Sequence, residues 1–299
     1  MKVERLGAGP IITPQTDASI GPNINGPSLI RVPAWVHGPL GRYYLYFAAH
    51  RGMFIRLAYS DAIAGPWRVY SPGTLRLPES MFVDHIASPD VHVDQDAQEI
   101  LMYYHGQCED GTQATRLAVS RDGLHFRPMP ERLGPWYFRV FGWNGLRYAL
   151  TMPGTLYWSR TGRAPFERGP SILPPDTRHT AVWLDGVVLY IVFSRVGDCP
   201  ERLLLSAVRL EPDWRRWRAS SPPQILLEPD TAAEGRDLLL RPSERGEAVE
   251  RLRELRDPAV FEDDGGRYLL YSVAGESGIA IARLAPDDPL MPASPGGVA

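Results

Sequence analysis

The chain has 299 residues, 44% of them hydrophobic and 22% charged, a globular composition with ample apolar material for a core. A formal net charge of −3 supplies no basic field for nucleic acid or an anionic membrane surface, and no stretch approaches the roughly 18 apolar residues of a membrane span. Neither partner is expected.

The first segment, MKVERLGAGPIITP, carries charges at Lys2, Glu4 and Arg5 and no run of signal-peptide length, so a cytoplasmic location is expected. From Gly26 to Tyr70 the chain reads GPSLIRVP, GRYYLYFAAH, RLAYS and GPWRVY. The same order returns as SPDVHVD, QEILMYYHG, RLAVS and GLHFRP (Ser88 to Pro128), and more weakly as YFRVFGWNG, LRYALTM, TLYWS and APFERG (Tyr137 to Gly169). It continues as HTAVWLDG, VVLYIVFSR, RLLLSAV and DWRRWRA (His179 to Ala219), then RDPAVFEDDGG, RYLLYSVAGE and GIAIARL (Arg256 to Leu284). Each short run is rich in β-branched and aromatic residues and bounded by Gly, Asp or Pro, so each predicts a strand. Anchors at Tyr46, Tyr103, Leu150, Tyr190 and Tyr271 are spaced by 57, 47, 40 and 81 residues, and three of these steps suit a four-stranded propeller blade.

The repeats predict an all-β, five-bladed β-propeller forming one domain over residues 1–299. Blades are expected near Ala18–Pro72, Val83–Pro130, Trp136–Leu173, Arg178–Ile225 and Arg256–Leu284. Aromatics recur near the fourth run at Trp67, Phe126, Phe166 and Trp214, where they are expected to pack between blades. The fifth copy lacks a fourth strand, and Ile11–Ile12 is the predicted supplement that closes the ring. The longest step holds an insertion, about Leu227 to Leu255. Its Ala248, Leu252 and Leu255 have helical spacing after a candidate N-cap at Ser243, so it is expected to be partly helical. It joins a fourth strand to the next first strand, which places it on the functional face as a lid or as a solvated excursion.

Strand direction selects the candidate site. First-strand starts and second-strand ends share one rim. The starts bring Asn25, Ser28, Asp84, His85, Ser88, Asp90, Arg139, Arg178, His179, Arg256 and Asp257. The ends bring His50, Arg51, His105, Gln107, Ser194, Arg195 and Glu276. Imidazoles and guanidiniums beside carboxylates suit a polar or anionic small ligand. Each residue taken alone has a plain structural reading, because Asp-Pro and Ser-Pro are also turn chemistry. Cys108 and Cys199 supply neither a disulfide framework nor a zinc site, and free thiols are expected.

The blade-start motifs Arg256-Asp257-Pro258, Ser88-Pro89-Asp90 and Gly26-Pro27-Ser28, each followed by a hydrophobic strand and a YLYY-like run, resemble the five-bladed propeller glycosidases. These comprise glycoside hydrolase family 43 and its relatives, the invertase, levansucrase and family 130 enzymes. The resemblance covers nearly the whole chain and implies a small carbohydrate or sugar-like substrate handled by pocket carboxylates. It departs at Gly26, which stands where such enzymes carry a base, and in the third blade, which offers Gly134-Pro135-Trp136 and Arg139 in place of an acid. Carried over residue by residue, the resemblance implies Asp90 or Asp84 as base, Glu234 or Glu276 as acid and Asp257 as the orienting carboxylate. The set His50, Arg51, His85, His105, Arg139, Arg178, His179, Arg195 and Arg256 would bind substrate. No cofactor is expected; a metal held by a pocket histidine is compatible with such propellers, but no ligand spacing demonstrates one. Two alternatives stay open: a carbohydrate-binding propeller whose hydrolase set has lapsed, and a different enzyme class using the His and Arg cluster for acid–base chemistry.

Overall fold

In a computed structural model, which describes residues 1–285, five four-stranded antiparallel sheets follow one another around an axis. The strand β1 (Lys2–Arg5) is first in the chain and last in the ring. Blade 1 holds β2 (Asn25–Arg31), β3 (Tyr43–Ala48), β4 (Phe54–Ser60) and β5 (Arg68–Arg76). Blade 2 holds β6 (Ile86–Asp94), β7 (Glu99–Gln107), β8 (Gln113–Ser120) and β9 (Arg127–Pro128). Blade 3 holds β10 (Arg139–Trp143), β11 (Leu146–Thr151), β12 (Thr155–Ser159) and β13 (Glu167–Ser171). Blade 4 holds β14 (Thr177–Asp185), β15 (Val188–Arg195), β16 (Leu203–Arg209) and β17 (Gln224–Leu227). Blade 5 holds β18 (Arg256–Asp263), β19 (Gly266–Ser272) and β20 (Ile279–Ala285), completed by β1. Among the described residues no helix is long and apolar enough to cross a membrane.

The repeat has a packing cause. Trp67, Phe126, Phe166 and Trp214 are all buried, and each joins an apolar cluster shared between its own blade and the preceding one. Burying such a ring removes roughly 150–250 Å² from contact with water, so these four positions carry much of the inter-blade adhesion. At the blade 4–5 boundary the corresponding cluster instead recruits Met1 and Val3 from the N-terminal strand. A hydrogen-bonded staple accompanies the packing: the Tyr46 hydroxyl donates to Gly123 O (2.9 Å), and Tyr103 donates to Gly162 O (3.1 Å). Both glycines are left-handed, and a Cβ on either would lie within 2.8 Å of the tyrosine oxygen, so the turn tolerates no side chain there.

The structure revises three expectations. The ring is closed by Lys2–Arg5, which pairs with Arg283 and its neighbours on β20, and not by Ile11–Ile12. Ile12 makes a single bridge to Ile279 and is fully buried with Ile20 and Ile24, so this segment serves as core. The anchor register is also corrected: Tyr46, Tyr103 and Leu150 are equivalent to Phe193 and Leu270, which pair with the matching first-strand positions, rather than to Tyr190 and Tyr271. The insertion contains no helix. Leu252 and Leu255 are buried, but Val249, between Ala248 and Leu252, is 84% exposed, and the segment is irregular throughout. Ser243 caps no helix; its hydroxyl accepts from Gly197 N–H and donates to Arg195 O.

Candidate functional site

The site grows out of a defect repeated in the sheets. At the rim end of blades 1, 2, 4 and 5 the pairing of first and second strands slips, between Asn25 and Ser28, Ala87 and Asp90, Thr177 and Thr180, and Arg256 and Ala259. In blades 1, 2 and 5 the cause is readable: Pro27, Pro89 and Pro258 have no N–H to give the ladder, so the strand bulges and re-aims the preceding residue. Gly26, Ser88 and Asp257 there have φ of 59°, 47° and 48°, and Tyr137, two residues before Arg139 of β10, has φ of 62°. For the three non-glycine residues this backbone costs roughly 1–2 kcal/mol each, strain of the kind held in place at functional sites.

Asp257 is 2% exposed, and its Oδ1 lies 2.5 Å from Nδ1 of His179, while Ser272 donates to Oδ2 (3.2 Å). Burial alone would raise this carboxyl, but His179, Arg256 and Arg139 hold it down at about 2. Glu276 is equally buried and accepts from Asn23 Nδ2 (2.7 Å), Asn25 Nδ2 (3.2 Å) and Arg256 Nη1 (3.2 Å). Its carboxyl also stays below the ordinary value: burial and Asp257 push it up, and His50 and Arg256 outweigh them. His50, 3.7 Å from Glu276, is half-buried; burial works against its charge, yet Glu276 raises it above an ordinary imidazole. His105 is pushed well below that range by burial and by His85 and His179, so it is neutral. The Tyr137 ring stands between two imidazoles, 4.4 Å from His105 and 4.3 Å from His179.

Behind this cluster lies a buried ionic tier. Arg256 donates to Glu254 Oε2 (2.7 Å) and lies 3.4 Å from Glu201; Arg178 Nε lies 2.9 Å from Glu201, which also accepts from Ser194 Oγ (2.6 Å). Both guanidiniums donate to Gly246 O, at 3.0 and 3.2 Å, and Arg178 further to Glu244 O. The insertion is thereby fastened over the rim, and Asn23 Nδ2 reaches Glu247 across it (3.4 Å). These arginines hold the cover in place and are not free for a ligand.

The remaining predicted residues lie apart from the cluster or at its edge. Asp84 is exposed and contacts the His85 imidazole (2.9 Å); Arg51 is exposed; Arg195 is paired with Asp198 (2.8 Å) at the end of its own hairpin. Asp90 and Arg139 sit one layer deeper in the axial wall. The Asp90 carboxylate accepts from Val140 N–H (2.7 Å) and contacts His92 (2.9 Å), just as Ser28 Oγ accepts from Val91 N–H (2.9 Å). Both therefore tie one first strand to the next. Arg139 donates to Thr180 O and Pro89 O, bridging blades 4 and 2. Glu234 lies away from the rim between β1 and blade 5, where Arg5 and Tyr271 donate to it. A cavity of about 340 Å³ opens toward the other end of the first strands, lined by Asp90, Arg139, Arg31, His92, Trp183 and Glu262 among others, but not by Asp257, Glu276 or His179. The ionisable cluster thus does not coincide with that opening, and its chemistry marks the rim as the candidate site.

Sequence reasoning passed over Tyr137, Asn23, Glu201 and Glu254. Tyr137 is followed by Phe138 and not by the proline that marks Gly26, Ser88 and Asp257, and the two glutamates lie far apart in the chain, so their meeting has no local signal. Among the described residues no group of three or more His, Cys, Asp or Glu is arranged to hold a metal ion.

No family model matches the chain. It is 35% identical over 297 residues to the uncharacterized protein R118 of Acanthamoeba polyphaga mimivirus, covering 88% of this chain and 83% of the viral protein. Among solved structures it is similar to the GH43_1 enzyme from Xanthomonas citri complexed with xylose (TM-score 0.65, 12% identity, 94% and 91% of the two chains). It is similar also to a GH43 β-xylosidase/α-arabinofuranosidase from a compost microbial metagenome in complex with xylotriose (TM-score 0.65, 12% identity, 96% of each chain). A thermostable family-43 glycoside hydrolase gives a TM-score of 0.62 at 14% identity, over 89% of this chain and 91% of that one. At these identities the likeness is one of fold.

Proposed function

For a chain that belongs to the family of the mimivirus protein and folds like the family 43 hydrolases, we propose a glycosidase-type enzyme acting on a small neutral carbohydrate at the rim. The observation that carries this reading is the pair of buried carboxylates, Asp257 and Glu276, both held as anions beside a half-buried imidazole. A sugar losing its leaving group develops positive charge at the anomeric carbon, and a fixed, desolvated carboxylate stabilises that charge more than it stabilises the neutral ground state. Asp257 takes this role. Glu276, already ionised and hydrogen-bonded, is a poor proton donor; His50, whose charge Glu276 favours, is the better one. Arg178 and Arg256 face Glu201, Glu254 and Glu276, and His179 faces Asp257, so these groups leave no cationic excess to select a phosphorylated or acidic sugar.

A second reading rests on the 2.5 Å contact of Asp257 with His179. A carboxylate that orients an imidazole is also the arrangement of a general base, and would serve a reaction other than glycoside cleavage. Nitrophenyl glycosides separate the two. On the glycosidase reading Asp257→Asn keeps the fold and lowers turnover by about a hundredfold or more. His50→Gln then loses activity on poor leaving groups and keeps it on activated aryl glycosides. A wild-type protein inert on all glycosides, with no thermal shift from free sugars, removes both the glycosidase reading and the lapsed-binder alternative and leaves the His179 base.

A further inference from the structure

The ring position that Gly26, Ser88 and Asp257 occupy in their blades is held in blade 3 by Tyr137, and nothing in the fold requires an aromatic there. A tyrosine at φ of 62° is strained, and three blades meet the same backbone demand with Gly, Ser or Asp. The ring is pinned between His105 and His179 with centroids 4.4 and 4.3 Å away, so its direction is fixed. Its hydroxyl reaches toward Ser88 and senses the charges of Asp257 and Glu276, so one phenolic oxygen stands where blades 2, 3 and 5 converge. The residue is nevertheless only partly buried. Beside it, Nδ1 of His105 is buried and has no hydrogen-bond partner in the protein, although His105 is only 3% exposed. A polar atom left in that state is costly unless a bound group satisfies it.

We infer that Tyr137 forms the floor of the sugar site, its hydroxyl donating a hydrogen bond to an oxygen of a neutral sugar while His105 Nδ1 and the Asp257–His179 pair hold the neighbouring hydroxyls. This rests on the carbohydrate reading above. The stack on two imidazoles then serves as positioning: it fixes the phenol before the ligand arrives, and the ligand loses little by being ordered against it. Burial and the nearby carboxylates push the phenol upward from its ordinary value, which keeps it protonated as a donor through the neutral range.

The test measures binding of D-xylose, L-arabinose, D-galactose and D-glucose by calorimetry, and hydrolysis of the matching nitrophenyl glycosides, in wild type, Tyr137→Phe and Tyr103→Phe. Tyr137→Phe keeps the ring stack and the melting temperature and weakens the bound sugar about tenfold or more, the loss of one hydrogen bond in a dry site. Tyr103→Phe, which removes a hydroxyl engaged only with Gly162, lowers stability and leaves sugar affinity unchanged. A Tyr137→Phe protein that binds and cleaves like wild type overturns the assignment while the carbohydrate reading stands. A wild type that binds and cleaves none of the panel overturns the carbohydrate reading itself, and this assignment with it.

Discussion

Replacing Glu234 by glutamine separates a structural from a catalytic carboxylate. Glu234 is 2% exposed and receives five donors: Arg5 Nε and Nη2 at 2.7 and 2.9 Å, the Tyr271 hydroxyl at 2.8 Å, and the N–H groups of Asp230 and Thr231 at 3.1 and 3.2 Å. An amide keeps one acceptor oxygen and turns an NH₂ toward donors that previously met a charge. The affected bonds are charge-assisted, worth roughly 1.5–3 kcal/mol each where buried. Arg5 is 31% exposed and can rehydrate, which discounts its share, and a net loss of about 3 kcal/mol is expected. With an unfolding entropy of about 0.6 kcal/mol/K for a chain of this length, the melting temperature should fall by about 5 °C. Amide exchange should accelerate first at Lys2–Arg5, the strand this carboxylate secures. Hydrolysis per folded molecule should stay at the wild-type level. Turnover that collapses with melting temperature and exchange unchanged would refute the clamp and return Glu234 to the list of acids.

The axial wall makes a related prediction: Asp90→Asn retains one acceptor for Val140 N–H and should cost about 1–2 kcal/mol in urea unfolding, with no dependence of turnover on leaving group. Two left-handed glycines form a matched pair. Gly111→Ala, with φ of +78° and nothing near the new methyl, should lose only about 1 kcal/mol, whereas Gly123→Ala, whose Cβ would meet the Tyr46 oxygen at 2.7 Å, should lose about 2–3 kcal/mol by the same measurement. Acid should act through Asp257, which sits at about 2 in the folded protein against an ordinary 3.8. Its folded-state value is depressed, so its stabilisation is complete above about pH 4 and is lost as the pH falls from about 4 to about 2, some 2 kcal/mol in all. Melting curves of Asp257→Asn across that range should be correspondingly flatter than those of wild type, and parallel curves would contradict the ionic assignment.

What could be read in the sequence was whatever a blade repeats. Tyr46 and Tyr103 recur because each meets a turn glycine of the next blade, and Trp67, Phe126, Phe166 and Trp214 recur because each seals a boundary. Asp257 stood out because Pro258 marks the bulge that aims it. The helical spacing of Ala248, Leu252 and Leu255 misled because the decisive partners are distant: Arg178 and Arg256 draw the carbonyls of Glu244 and Gly246 outward, away from any helical ladder. Glu234 looked like an acid in a loop because its partner Arg5 lies 229 positions away. Tyr137 carries a left-handed backbone without the proline or glycine that announces one, and only the folded ring reveals it as equivalent to Asp257.

The pairing of Lys2–Arg5 with Ala282–Ala285 has a temporal consequence. During synthesis Lys2–Arg5 emerges long before its partner strand Ala282–Ala285, so four blades can assemble while the fifth remains three-stranded. The apolar seam that Met1 and Val3 complete with Trp183 and Tyr271 is exposed throughout that interval, as is an unpaired edge of β20 once it forms. Non-local closure of this kind is slow, and an open edge invites another chain to supply the missing strand. A bulky substitution at Val3 would sit at the last seam to shut, where it competes with ring closure more than the same change on an outer loop.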